Sequence, residues 1–265
     1  MAGARGILTV DGISPFQRSE ISRVVGLGQP VVFRGLCRHL PASRYWTLEY
    51  LSAKVGSKEV LVRSGLDDSE SEPAFRKMSF QTYVDQVRRP FSELERGRLY
   101  LSDWPIAIEC PELVPDIKDI GWFENWLDYL PRPIKNTWPY VFMQVGWPGA
   151  HYPPHTDYGG LDAWACQFYG RKRWRLHSPS RDFDAASVEI TESDGWHEVE
   201  VGEGDVVFVP SGWIHEVDSM SVTISIVHNQ LCGRNFVAFA KAMRDRDERR
   251  VLWNLVGLGT KQYYF

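Results

Sequence analysis

Residues 141–178 read VFMQVGWPGAHYPPHTDYGGLDAWACQFYGRKRWRLHS, and His155-Thr156-Asp157 inside them decides how the rest is read. Side chains alternate along a strand, so a histidine and an acid two apart share one face of it. An imidazole and a carboxylate on one face make two-thirds of a 2-His-1-carboxylate facial triad, the ligand set that leaves positions open on a non-heme Fe(II). The third ligand has a candidate in residues 204–215, GDVVFVPSGWIH, where a turn, an apolar strand and a second turn lead to His215. A lone His-x-Asp is common by chance, and this one gains weight from its surroundings. Residues 167–176, QFYGRKRWRL, follow it as a strand, a glycine turn and a second strand with Lys172 just past the turn. Alternation sends Lys172, Trp174 and Leu176 to one face and Arg171, Arg173 and Arg175 to the other. The lysine therefore need not belong to a solvated basic cluster.

Working outward, the 265 residues suffice for one enzyme-sized unit with a full core. A net charge of −4 argues against a general nucleic-acid or membrane-surface binder. The four cysteines, Cys37, Cys110, Cys166 and Cys232, show no Cys-x-x-Cys spacing. That speaks against a zinc ribbon or a disulfide framework and for a reducing compartment. No signal peptide is visible in the opening residues, and no apolar run is long enough to span a bilayer. The expected location is intracellular, cytoplasmic or nuclear.

Upstream of the central stretch the pattern is mixed. A helix is expected over 15–25, with Phe16, Ile21, Val24 and Val25 as its apolar stripe. Residues 29–36 read as a strand running into the Arg34-Gly35 turn. Thr47 is positioned to cap a helix that stops at Gly56, and Ser79 one that runs to Val87. Residues 58–63 alternate as a strand, and 66–72 are an acidic loop. Residues 98–104 form a short strand bearing Tyr100 between Leu99 and Leu101, and 120–129 hold a short helix with Trp122, Trp126 and Tyr129 toward the core. Downstream of His215, residues 221–230 are a β-branched strand ending in Asn229. From Gly233 a helix carries Phe236, Phe239, Ala240 and Met243 on one stripe, with a second helical stretch over 247–255.

His155-x-Asp157, the Gly170 turn with Lys172, and the Gly204-Asp205 to His215 segment together resemble the JmjC (jumonji) oxygenases of the cupin superfamily, matching in residue type, order and approximate spacing. The Leu99-Tyr100-Leu101-x-Asp103-Trp104 form is most similar to the jumonji-domain-containing protein four type of protein lysyl hydroxylases. The resemblance covers most of the chain. It implies a mainly β (α+β) fold, a double-stranded β-helix or cupin jelly roll with helices added at both ends. One domain spans 1–265, with a lead-in over 1–97, the barrel over 98–232 and C-terminal helices over 233–265 as a cover or homodimer contact. It implies Fe(II) held by His155, Asp157 and His215, with 2-oxoglutarate and dioxygen as cosubstrates. Lys172 as cation and Tyr100 as hydroxyl donor would meet the distal carboxylate of 2-oxoglutarate, with Asn229 nearby.

Two positions depart from that pattern. Three residues before the metal histidine the family usually has threonine or serine that helps hold 2-oxoglutarate; here it is Tyr152. Seven residues before the lysine some relatives carry asparagine; here it is Ala165. His151 adds a third imidazole close to the site, as a substrate contact, a support for the ligands, or a mere loop lining. Trp147, Trp164, Trp196 and Trp213 are candidates for the mouth, Trp213 first because it stands two residues before His215. The activity implied is hydroxylation of a protein side chain, lysine among the options. A peptide or small metabolite is the next substrate class, with no nucleic acid and no membrane as partners. The competing readings are a lysine demethylase, which no chromatin-reading module or basic patch supports, and a non-catalytic cupin-like binding module, for which Tyr152 and Ala165 speak.

Overall fold

Apolar and polar residues alternating between glycine turns set the strands of this chain. The computed structural model describes residues 7–64, 74–89, 99–118, 120, 122–136, 138–179, 195–245, 251 and 255. In chain order the strands are β1 (Leu8–Val10), β2 (Val31–Phe33), β3 (Glu59–Ser64), β4 (Ala74–Ser79), β5 (Leu101–Trp104), β6 (Val141–Gly146), β7 (His151–His155), β8 (Asp162–Tyr169), β9 (Lys172–His177), β10 (Trp196–Val201), β11 (Val206–Val209), β12 (Ile214–Ser219) and β13 (Thr223–Gln230). One sheet runs β1-β2-β11-β8-β13-β6-β5, a second runs β10-β9-β12-β7, and β3 pairs with β4 as a third, joined to the β5 edge of the first by the Arg63–Tyr100 bridge.

The two larger sheets pack face to face. Ala163, Ala165, Val207 and Val209 of the first share an apolar cluster with Trp174, Leu176 and Val217 of the second. β9 has the alternation read from its sequence, with Lys172, Trp174 and Leu176 buried and the residues between them half-exposed. This strand-rich core with helical additions has the architecture of a cupin jelly roll. β8 is covered on both sides, because Trp164, Cys166 and Phe168 point away from the second sheet. Trp164 stacks on Phe123 at 4.6 Å and on Phe33 at 6.0 Å.

The helices of the lead-in pack on that outer side. Thr47 caps Leu48–Val55 by accepting from the Tyr50 amide, and Ser79 caps Phe80–Val87 by accepting from Thr82. The first helix is Arg18–Val25, shorter than expected, and it buries Ile21, Val24 and Val25. Phe16 lies outside it at 86% exposure, because the chain makes a turn from Ser14 to Gln17 before the helix begins. The lead-in also completes the first sheet: β2 pairs antiparallel with β11, and β1 parallel with β2. Asp205 locks this junction, taking Arg34 Nη1 at 2.6 Å and the Gly35 amide at 3.0 Å.

Two other expectations change. Over 120–129 the regular element is a 3-10 helix, Trp126–Tyr129. With three residues per turn, Leu127 and Leu130 share the inward face, and Tyr129 is 55% exposed rather than in the core. β4, not foreseen as a strand, pairs with all of β3. The C-terminal helix, Phe236–Asp245, buries Phe239 and Met243. It closes over the 3-10 turn Tyr158–Gly160: a Cβ on Gly159, whose φ is +67°, would stand 3.1 Å from Met243 Cε. The helical stretch expected over 247–255 and the loop over 66–72 lie, apart from Val251 and Leu255, outside the described residues. No helix among the described residues is long and apolar enough to cross a membrane.

Candidate metal and cosubstrate site

His155 is the last residue of β7 and His215 lies at the start of β12, and the two are directly paired across these strands. Their ring centroids are 4.1 Å apart. Asp157 reaches the same place by another route. β7 ends at His155, so Asp157 is not on the strand face that the His-x-Asp spacing suggested. Its extended backbone, φ −61° and ψ 143°, leads into the Tyr158–Gly160 turn beneath the C-terminal helix. Its Oδ2 is 3.8 Å from His215 Nε2, and its Oδ1 accepts from the Asn229 amide at 3.1 Å.

Each imidazole is oriented by a backbone carbonyl two residues earlier. His155 Nδ1 is 2.8 Å from Pro153 O, and His215 Nδ1 is 3.2 Å from Trp213 O. A carbonyl only accepts, so the proton sits on Nδ1 and the Nε2 lone pair is left free, the tautomer a metal ligand needs. Burial pushes His155 down to about 3, with His215 close by adding to the effect, and burial alone takes His215 to about 4. Both rings are therefore neutral near pH 7. Burial raises Asp157 to about 6, against the opposing pull of His155 and the Asn229 hydrogen bond. Among the described residues no group of three or more His, Cys, Asp or Glu is gathered as a metal cage. The three side chains are adjacent without converging on one point. As a donor set they nonetheless fit a divalent cation. Two neutral imidazoles present free lone pairs, and a carboxylate with 12% of its side chain exposed gains from any positive charge beside it.

Lys172 enters the barrel at the opposite end of β9 from Leu176, which pairs with His215. Only glycine allows the turn before it: Gly170 has φ +74°, and a Cβ there would fall 1.9 Å from Val222 O. The Lys172 side chain is fully buried. Its ammonium donates to Gln144 Oε1 at 2.7 Å, Ser225 Oγ at 2.8 Å and Tyr100 OH at 3.4 Å. No ion pair among the described residues includes it. Burial holds its pKa down to about 7. Burial likewise holds the Tyr100 phenol well above its ordinary value, so it stays a hydroxyl donor.

The remaining candidates separate. The Tyr152 ring packs 4.3 Å from the His155 ring and edge-on to Tyr100 at 6.3 Å. Ala165 belongs to the apolar layer between the sheets, beside Trp174. His151 is held by β12, 2.7 Å from Asp218 Oδ1 and 3.8 Å from Glu216 Oε2. Trp147 donates to Leu99 O at 2.7 Å and Trp164 to Gln230 Oε1 at 2.7 Å, both inside the protein. Trp196 packs on His177, and Trp213 is buried at the edge of a cavity of about 450 Å³ beside Asp162 and Arg234. The tryptophan against a candidate ligand is a different one: Trp174 stacks on His215 at 5.7 Å with an interplanar angle of 22°. Gln144, Ser225 and Arg63 were not foreseen either. For the first two a signal existed, since each is a polar residue inside a strand of otherwise apolar pattern. They face each other directly across β6 and β13.

Comparison with known proteins shows the family of the chain. A family model described as a cupin-like domain matches residues 17–184, and one described as a JmjC domain matches residues 138–234. The mouse 2-oxoglutarate and iron-dependent oxygenase JMJD4 is 30% identical over 71% of this chain and 50% of its own length. Two proteins of Arabidopsis thaliana are also similar. Lysine-specific demethylase JMJ21 is 27% identical over 82% of this chain and 25% of its own length. Arginine-specific demethylase JMJ20 is 26% identical over 87% of this chain and 59% of its own length. The chain thus spans only part of each of these relatives.

Proposed function

Starting from a chain that belongs to the cupin-like family and carries a JmjC domain, we propose an Fe(II)- and 2-oxoglutarate-dependent oxygenase that hydroxylates a side chain of a protein. The observation that carries this reading is Lys172: a fully buried ammonium, with no carboxylate in ion-pair reach among the described residues, in the same barrel as the His155, Asp157 and His215 donors. A buried cation without a counter-ion is costly, and a dicarboxylate cosubstrate supplies the missing charge.

His155, Asp157 and His215 would hold the iron, which when bound supplies the activation of dioxygen for oxidation of an unactivated carbon. The chain's own part is positioning. Lys172 and Tyr100 bind the distal carboxylate of 2-oxoglutarate, one through charge and one through a hydroxyl proton. Gln144 and Ser225 hold the ammonium in place. Asn229 orients Asp157 through Oδ1 and leaves Oδ2 toward His215. Trp174 and Tyr152 shield the two imidazoles from water.

Two expected results follow from this division of work. Asn229→Ala lowers metal affinity about 10–100-fold, the usual effect of losing a group that orients a ligand, as read by Mn(II) titration. Tyr152→Thr tightens 2-oxoglutarate binding about fivefold. The phenol crowds the space between Tyr100 and His155, and threonine exchanges that bulk for one hydrogen bond of about 1 kcal/mol. Weaker binding of the variant would instead make the phenol itself a cosubstrate contact.

The test of the reading is stoichiometric. Succinate should form from 2-oxoglutarate only with Fe(II), and a substrate protein should gain one oxygen in intact mass. The similar proteins named as demethylases favour a second reading, removal of a methyl group from a lysine or arginine. Formaldehyde release together with succinate would select it. A protein that binds neither Mn(II) nor 2-oxoglutarate would leave a non-catalytic cupin module.

A further inference from the structure

The β3–β4 hairpin presents a face that the barrel chemistry does not use. Residues directly opposite in an antiparallel pair share a side, which puts Leu61 and Lys77 with Arg63 and Phe75 on one face, while Val60 and Val62 are buried on the other. Leu61 is 52% exposed and Phe75 53%. Lys77 is already paired with Glu59 at 3.0 Å. Arg63 makes no ion pair within 4 Å among the described residues: its side chain is hydrogen-bonded to the Tyr152 phenol and lies within electrostatic reach of Asp103, and its Nε is buried with no hydrogen-bond partner.

Arg63 also joins this face to the candidate site. Its backbone bridges to Tyr100 in both directions, at 2.9 and 2.7 Å. Its guanidinium lies 5.4 Å from the centre of the Tyr152 ring, which packs on His155. The site therefore has two cations at different depths. Lys172 is sealed inside the barrel, and Arg63 is half-buried where the hairpin face meets Tyr152, the ring that packs on His155.

We propose that Arg63 selects the substrate: it meets an anionic side chain on an extended polypeptide segment lying along the Leu61 and Phe75 face. This rests on the oxygenase reading above and adds the chemical class of its substrate. A small carboxylate metabolite would need the guanidinium alone. The two exposed apolar side chains, in register with it on a regular hairpin, suit alternate side chains of a strand-like peptide. The substrate is accordingly a protein segment with Asp or Glu within a few residues of the oxidised position and apolar residues beside the acid.

The experiment uses the full chain loaded with Mn(II) and 2-oxoglutarate, anaerobically, with a pooled library of random-sequence decapeptides as the probe. The wild-type protein should retain a pool enriched in Asp and Glu. Arg63→Lys should keep that preference, and Arg63→Glu should replace it by enrichment in Lys and Arg. Phe75→Asp, a change on an exposed side chain, should lower capture at least fivefold with an unaltered melting temperature, which keeps the proposal testable if Arg63→Glu folds poorly. Calorimetry on the same variants should give 2-oxoglutarate affinities within about twofold of wild type. An acidic preference unchanged in Arg63→Glu, or no enrichment by the wild type, overturns the proposal. So does a tenfold loss of 2-oxoglutarate affinity in Arg63→Lys, which would make Arg63 part of the cosubstrate site. Failure of the wild type to bind Mn(II) and 2-oxoglutarate would instead sink the oxygenase reading, a separate result read before any peptide is added.

Discussion

Asp157→Ala should abolish succinate formation and weaken Mn(II) binding by more than about 100-fold, exceeding the 10–100-fold typical of a group that only supports a ligand. The carboxylate supplies the one negative charge of the donor set. Removing it leaves two neutral imidazoles and strands the Asn229 amide that now donates to Oδ1 at 3.1 Å. Asp157→Asn should lose metal almost as completely, because it retains the shape and a hydrogen-bonding group but not the charge. Mn(II) binding followed by electron paramagnetic resonance reads both variants directly. Undiminished Mn(II) affinity in Asp157→Ala would mean that the metal is held elsewhere. The circular dichroism of both variants should match the wild type, since the Tyr158–Gly160 turn is fixed by the C-terminal helix and not by the carboxylate.

Lys172→Met should produce two opposite effects. It removes the charge proposed to meet 2-oxoglutarate; a charged hydrogen bond is worth roughly 1.5–3 kcal/mol, so affinity should fall about ten- to more than a hundredfold. The metal- and cosubstrate-free fold should become more stable, by about 1–4 kcal/mol, as when buried charged groups are replaced by apolar ones of similar volume. Ser225 and Gln144 do not lose every partner, because they already lie 3.4 Å from each other. The pH dependence has a definite sign. Burial brings Lys172 from 10.5 down to about 7. Between these values the unfolded chain binds the proton that the folded chain has released, so wild-type stability rises with pH across that window. Below about pH 7 both states are protonated and the penalty is at its full value. On the proposed role of Lys172, 2-oxoglutarate needs the ammonium form, so its affinity should fall by up to tenfold per pH unit above about 7. Denaturant titrations from pH 6 to 10 should show the stability slope in the wild type and not in Lys172→Met. An unchanged slope would mean that Lys172 keeps its proton throughout.

What the sequence disclosed and what it concealed divide along a physical line. Strand alternation is local, so the burial of Lys172, Trp174 and Leu176 could be read directly, as could the Thr47 and Ser79 caps. The glycine and aspartate of residues 204–205 announced the turn before an apolar strand. Their full meaning, a clasp on Arg34 and Gly35, required knowing which strand lies beside which. Register is equally invisible in one sequence. It put Gln144 opposite Ser225 around the ammonium, Trp174 against His215, and Arg63 beside Tyr100. Asp157 was singled out on a strand-face argument that the structure does not keep, because the strand stops at His155 and the acid stands before the Tyr158–Gly160 turn. Tyr129 was misplaced because a 3-10 helix spaces its inward residues by three, and Leu127 with Leu130 took that role.

The clasp between Arg34 and Asp205 joins residues 171 apart in the chain. β11 has β8 on one side and β2 on the other, so until β2 docks, β11 is an open edge. During synthesis the early strands emerge first and must wait, unpaired, for a partner made much later. Closing so long a loop is slow, and sheets built from such distant pairings are among the slowest to form. The exposed flank of Val206–Val209 is then a place where another chain can add its own strand before the correct one arrives. The residues that complete the sheet are thus also the ones that guard its assembly, and a shortened chain beginning after Phe33 would leave that flank permanently open.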